Sequence, residues 1–450
     1  MLRTFTAHKI RMFLFGYGIL LALLTVAMPW IPPIQAPDES VHHARAYGIT
    51  QGSLLLQTPS GEQSGLLVDK NLIQFINGYL FNIQTPGYRP SDAQLAELKA
   101  LRWINQQEHF NAPNTSYTNP LVYLPQAAGI AIGMHFNQTI YRSYFLARFL
   151  SCATALALIF IALYFYATNP FTIGLLILPM TLFQIAMPTA DGISYGLALL
   201  CLCLFASMRA QKVVSHASII TLTILICLLI TARMHAFPFL LLLLFLPPTA
   251  SHRIKLAPFF ISAFITLAWI GSAIKYTVDL RLERSLSTAQ IAQHYFYNPG
   301  EWLEILQNTV LSKNAWDFYS ESFIGILGWL HVPLPAWYYP LSWVCLAALL
   351  IASLIKSKKN EIFTSFSWLY CLIALLSCFI IFNALLLGWT PYPHDVIEGV
   401  QGRYFWIPAC CLAFCLSPSH AFSKFSTVLL GLFLILNWSL VAHVYFIRYN

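Results

Sequence analysis

Residues 33–45 read Pro33-Ile34-Gln35-Ala36-Pro37-Asp38-Glu39-Ser40-Val41-His42-His43-Ala44-Arg45 and follow an apolar run over 12–32. That run is long enough to cross a bilayer as a helix, which takes roughly 20 residues. Two adjacent carboxylates, two imidazoles and a guanidinium then crowd into a few positions of a chain in which only 9% of residues are Asp, Glu, Lys or Arg. Ala36-Pro37 breaks the run, and Asp38 is placed to cap a new helix whose first turn favours the charge of Glu39. On that helix Asp38, His42 and Arg45 fall at i, i+4 and i+7 on one face. Such a face is able to hold a hydroxyl, take its proton and pair with a phosphate.

Outward from this boundary the composition excludes a soluble globule. With 450 residues, 58% of them hydrophobic, and a mean hydropathy of +0.65, the chain cannot clothe a water-exposed surface with charge. It reads as an all-α polytopic membrane protein, a single integral domain over 1–450. Clear spans are 12–32, 144–167, 256–275, 363–388 and 428–447. The first run is long and no small-residue cleavage site precedes the proline-rich segment after it, so it is expected to be a retained anchor. All ten cysteines (152, 201, 203, 227, 345, 371, 378, 410, 411 and 415) fall in apolar runs, which implies neither a disulfide framework nor a zinc site. The formal net charge of +8 does not indicate nucleic acid, because no soluble segment interleaves basic and aromatic residues.

The basic residues instead fix a topology, since they gather on the cytoplasmic side of short loops. Arg3, Lys9 and Arg11 hold the N-terminus inside, and the Asp38 stretch emerges outside. Four apolar segments, 120–136, 144–167, 171–188 and 192–208, precede the next cluster, Arg209 and Lys212. Were all four to cross, that cluster would lie outside, so one must not span. The weakest is 120–136, short, with Pro120 and Pro125 in its opening turns and glycines at 129 and 133, and it is expected to lie on the outer face near Asp38. Arg253 with Lys255, then Lys356, Lys358 and Lys359, then Lys424 all then land inside. About 11 transmembrane helices result, with two long outer-face loops, 33–143 and 277–337, carrying juxtamembrane helices. A surface helix is expected over 92–108 and another around Glu301-Trp302-Leu303-Glu304.

On this map almost every acid faces outward, and the candidates for chemistry are the costly charges among apolar runs. Asp38, with Glu39 as its alternative, suits a general base, against the plain alternative of a helix cap and a first-turn acid. His42, His43 and Arg45 accompany them. Asp191, in Pro188-Thr189-Ala190-Asp191-Gly192, either caps the helix that follows or joins Asp38 in an outward cavity. Arg233 and His235 mark an outer turn, where a cation calls for an anionic partner such as a phosphate, or reaches lipid headgroups. In Gln401-Gly402-Arg403-Tyr404, glycine allows close backbone approach and Arg403 offers a bidentate fork, with Tyr404 beside it as an interfacial ring.

Pro37-Asp38-Glu39 with His43, Asn119-Pro120-Leu121-Val122-Tyr123-Leu124-Pro125, Leu178-Pro179-Met180 leading to Asp191, Phe323-Ile324-Gly325 with Gly328-Trp329, and Gln401-Gly402-Arg403-Tyr404 occur in this order. In this the chain resembles an uncharacterised bacterial domain-of-unknown-function family of polytopic membrane proteins, itself similar to the GT-C superfamily of glycosyltransferases. The resemblance covers nearly the whole chain. It implies a polyprenyl-linked sugar as donor, reaction at the outer face of the bacterial inner membrane, and an acid in the first outer loop, here Asp38, acting on the acceptor. A second acid of the next outer loop matches Asp191. The partners implied are membrane lipids and a glycan, lipid or protein acceptor. No cofactor is required, although a divalent cation at Asp38 and Asp191 is compatible with a diphosphate donor. The alternative function is a transporter or flippase of a lipid-linked glycan, and behind it a non-catalytic membrane scaffold.

Overall fold

The computed structural model describes residues 31–84, 90–211, 214–247, 252–281, 286–355, 366–416 and 423–449, with Gly16, Gly18 and Ile19 as separate helical residues before them. The N-terminal span and the basic cluster 356–359 thus lie outside the described residues, apart from those three. The rest is mostly helical. Among the described residues five helices are long and apolar enough to cross a membrane: Ile140–Phe165, Ala190–Ala210, Leu256–Tyr276, Ser367–Gly388 and Lys424–Val444. His216–Ala232, Met234–Leu244 and Tyr338–Leu354 are apolar but shorter.

The chain order explains how the polar segments meet. Helix α1 (Glu39–Thr50) leads to strand β1 (Gly65–Asp69), α2 (Lys70–Gln84), α3 (Asp92–Ala100) and strand β2 (Gln107–Asn111). After these come α4 (Leu124–His135) and the long α5 (Ile140–Phe165). Two short helices, α6 (Pro170–Leu176) and α7 (Pro179–Ala186), return to the start of α8 (Ala190–Gln211), which is followed by α9 (His216–Ala232). The expected segment 171–188 is therefore not one helix. Pro179 cannot donate to a preceding turn, so the chain breaks at Ile177-Leu178 and restarts with proline in its first turn.

Helix α8 is the core of the bundle. Its residues 190–208 are buried on every side, as expected of a helix that is apolar all round. Helix α4 has 12 residues, about 18 Å of rise, well short of the roughly 30 Å hydrocarbon layer. It lies backbone-to-backbone on α5. A Cβ at Gly129 would stand 2.4 Å from the Ala147 nitrogen, and one at Gly133 would stand 2.1 Å from Ser143 Oγ. Small residues one turn apart allow that approach in an apolar medium.

The structure is not purely helical, which corrects the all-α expectation. β1 and β2 pair antiparallel from Gly65 with Asn111 to Asp69 with Gln107, and a minimal hairpin joins β3 (Ile326–Leu327) to β4 (Val332–Pro333). The helix expected over 92–108 starts with the Ser91–Gln94 capping box but stops at Ala100. Its continuation is captured by Asp69, whose Oδ2 accepts the amides of Ile104 (2.9 Å) and Asn105 (2.8 Å). A long-range acceptor of this kind overrides local helix preference.

The second polar loop packs α12 (Thr288–Tyr297), α13 (Pro299–Leu311) and α14 (Lys313–Ile324) ahead of α15 (Tyr338–Ile355), numbering the short Leu241–Leu244 helix α10 and His252–Tyr276 α11. It docks on the first loop through Ser64 and Val278, where each amide donates to the other residue at 2.9 Å. The chain closes with α16 (Ser367–Gly388), a 3-10 turn Gly402–Phe405, α17 (Trp406–Phe414) and α18 (Lys424–Tyr449).

Candidate functional site

Four chain segments that are distant in sequence meet at one end of the bundle. They are the turn before α1, the N-terminus of α8, the break after α9 and the 3-10 turn before α17. Each delivers one charged side chain. Arg403 donates from Nη1 to Asp191 Oδ2 at 3.3 Å and from Nη2 to Asp38 Oδ2 at 3.2 Å. Asp191 Oδ1 is held in turn by Arg233 Nη2. The result is a chain of alternating charge, Arg233, Asp191, Arg403, Asp38. Its interior is dry, with the side chains of Arg403 and Asp191 3% and 6% exposed, while Asp38 is 41% exposed. Asp38 Oδ1 also accepts from Asn114 Nδ2 at 3.0 Å.

Local geometry explains why these side chains point at one another. Asp38 occupies the N-cap position of α1, but its φ is 61° and its carboxylate makes no cap hydrogen bond. The expected capping role is therefore corrected: the left-handed backbone turns the side chain away from the helix and towards Arg403. Arg403 is delivered by a turn pressed against α14, where a Cβ on Gly402 would lie 2.1 Å from the Phe323 nitrogen and 2.3 Å from the Tyr319 oxygen. Glycine is the residue that fits there. The Gly402 amide donates to Ser322 Oγ at 2.8 Å, and the Arg403 carbonyl accepts from Tyr195 Oη at 3.2 Å. Arg233 sits where helix α9 has ended, in extended backbone.

Beside the charges stands a neutral pair, His42 Nδ1 and Tyr123 Oη at 2.6 Å. Burial, reinforced by Arg233, pushes His42 down to about 4, and burial pushes the Tyr123 phenol up to about 12. Both are uncharged at neutral pH, so the net charge of the cluster is set by two aspartates and two arginines. His235, half-buried and two residues from Arg233, has its Nε2 buried with no hydrogen-bond partner. Tyr404 lies under the Arg403 guanidinium, 5.3 Å from its ring centroid.

The remaining anticipated residues turn elsewhere. Arg45 does not share a face with Asp38; it folds over the C-terminus of its own helix and donates to the carbonyls of Ser53 and Leu54. His43 is fully buried on the Tyr144 ring, with centroids 5.2 Å apart, and neither ring nitrogen has a partner. Glu39 is fully buried, its two oxygens taken by the amides of Ile34 (3.2 Å) and Ala36 (2.8 Å) and by the Tyr144 hydroxyl. Reading the sequence for charge missed Asn114, Tyr123 and Arg148. Arg148 had a legible signal, being an arginine well inside an apolar helix, where it is costly unless engaged.

A guanidinium lies between the two carboxylates, so the pair as arranged does not fit a divalent cation. Among the described residues no group of three His, Cys, Asp or Glu side chains gathers to hold a metal. Chemically the cluster offers an accessible carboxylate, Asp38, on a buried arginine, Arg403, with a second arginine, Arg233, on the far side of Asp191. Residues 16–412 match the family described as Predicted membrane protein (DUF2142). No curated protein and no solved structure matches the chain.

Proposed function

We propose that this chain, which belongs to the DUF2142 family of predicted membrane proteins, is an inverting glycosyltransferase of GT-C type. It would transfer a sugar from a polyprenyl phosphate to a hydroxyl of a cell-envelope acceptor. The reaction is placed at the outer face of the bacterial inner membrane, with the N-terminus cytoplasmic. The described helix ends alternate as ten of the eleven passes expected from charge require, once the segment 234–244 and the broken stretches 170–186 and 402–414 are counted as crossings, the first pass lying outside the described residues apart from Gly16, Gly18 and Ile19.

The observation that carries this reading is Arg403 bridging a half-exposed Asp38 and a buried Asp191. Asp191 and Arg233 form a fixed anchor. Asp38 is the most exposed member, 41% against 19% for Arg233, and is the carboxylate that water, and hence an acceptor hydroxyl, reaches. The donor phosphate binds by exchanging with Asp38 on Arg403 Nη2, while Nη1 keeps its hold on Asp191. Asp38 is thereby released as a base only when the donor is seated. Its carboxylate takes the acceptor proton as the acceptor oxygen bonds to the anomeric carbon. The bond from that carbon to the phosphate oxygen breaks, and the departing phosphate meets guanidinium charge already in place. Because arginines supply that charge, no metal is required.

The test compares purified wild type with Asp38→Asn against a panel of polyprenyl-phosphate sugars and envelope glycan acceptors. Transfer abolished with donor binding retained is the expected result. Undiminished transfer in the variant removes Asp38 from the mechanism.

A further inference from the structure

The turn that carries Asp38 is strained twice. Ile34 has φ 63° and Asp38 has φ 61°, both in the left-handed region, and for a β-branched residue such as isoleucine this is a true outlier. A conformation of that cost persists only where its surroundings over-determine it. Here they do. The Glu39 carboxylate reaches back to the amides of Ile34 (3.2 Å) and Ala36 (2.8 Å) and accepts from Tyr144 Oη. From the other side Arg148 Nη1 donates to the Ile31 carbonyl at 2.8 Å and Nη2 to the Pro32 carbonyl at 3.4 Å. The Arg148 guanidinium lies 5.2 Å from the centroid of the Tyr144 ring. Burial raises the Glu39 carboxyl above its usual range, and the charge of Arg148 opposes that shift only in part. Amides on one side of the turn and carbonyls on the other are thus gripped by one buried group of three.

We infer that Glu39, Tyr144 and Arg148 are a positioning brace, which locks the 31–38 turn so that Asp38 points at Arg403 instead of capping α1. The inference rests on the reading of Asp38 as the base. It separates two neighbouring acids by role: Asp38 meets the substrate, and Glu39 acts through the backbone that presents it. Helix α5 is the rigid element behind the brace, since Tyr144 and Arg148 are one turn apart on it, near the end capped by Thr139.

The experiment uses the full-length protein in detergent, as wild type, Glu39→Gln and Tyr144→Phe. The second variant removes one hydrogen bond without changing charge, and so keeps the test alive if the first fails to fold. Amide hydrogen exchange of the peptide covering 31–38 is expected to quicken at least tenfold in Glu39→Gln and less in Tyr144→Phe, with α5 unchanged. The kcat for sugar transfer is expected to fall about tenfold, while the KM for the polyprenyl donor moves less than twofold. Unchanged exchange overturns the brace whatever the transfer rate does. Faster exchange with unchanged kcat overturns its positioning role. A wild type that transfers no sugar counts against the glycosyltransferase reading instead, and the exchange measurement still decides the brace.

Discussion

The two ends of the helical bundle are stitched in different ways. At the Asp38 end, segments far apart in sequence are joined by ion pairs. At the opposite end, helices α6, α15, α16 and α17 are joined by neutral groups: Asn169 Nδ2 donates to the Ala413 carbonyl at 2.7 Å, Ser367 Oγ to the Cys415 carbonyl at 2.6 Å, and Ser353 Oγ accepts the Phe171 amide at 3.3 Å. Arg209 there stacks on the Phe366 ring, 3.9 Å from its centroid. Neutral bonds suffice to hold helix ends together. A buried charge costs several kcal/mol in desolvation, which a partner offsets only in good geometry. The Asp38 end therefore carries an expense that assembly alone does not require, and that excess is the physical argument for a reactive site there.

The sharpest way to break the comparison is Asp38→Asn. Transfer should fall by about 10²–10⁴, the usual range for loss of a general base. Stability should change by at most about 1 kcal/mol, because the ion pair of a half-exposed carboxylate is worth little. Activity assays with thermal unfolding in detergent separate the two effects. Next in size, Arg403→Ala leaves Asp191 paired with Arg233 but strips the buried Oδ2 of its partner, and the unfolding free energy should drop by roughly 3 kcal/mol. A much smaller drop would mean that Arg233 alone satisfies the Asp191 carboxylate.

Acid should weaken the Asp38 end through its histidines. Burial lowers both His42 and His43 from 6.5 to about 4, so between those values the unfolded chain binds more protons than the folded one. Stability is then fully present above pH 6.5 and is lost as pH falls towards 4, by up to about 3 kcal/mol per imidazole. A melting temperature that stays flat across that window would contradict their burial. The smallest effect sharpens the contrast from the other end: Asn169→Ala should cost roughly 1–2 kcal/mol and leave transfer per folded molecule unchanged. A loss of transfer there would show that the two ends do not divide the work.

Scarcity made much of this site legible. In a chain with so few charges, Asp191, Arg233 and Arg403 stand out among apolar neighbours, and each of them does reach the cluster. The division between Asp38 and Glu39 was not legible, because it turns on the backbone sign at one residue, which adjacent carboxylates do not reveal. Arg45 was misassigned for a related reason. Helical spacing puts it on the face of Asp38, but its long side chain reaches the carbonyls of Ser53 and Leu54, just beyond the end of its own helix. The strands were hidden because β1 and β2 are separated by α2 and α3, and because Asp69, which ends α3's continuation, lies far from it in sequence. The break at Pro179, by contrast, was open to inspection in the residues themselves.

The link between Arg233 and Asp191 bears on how the protein is made. These two residues sit at the tips of consecutive helices, so the α8–α9 hairpin is expected to enter the lipid as a self-neutralised unit during synthesis. Arg403 emerges from the ribosome well over a hundred residues later and finds a carboxylate already sheltered by its first partner. Insertion and completion of the site should then be separable, so that a chain truncated before 402 still integrates its early hairpins while lacking the finished centre.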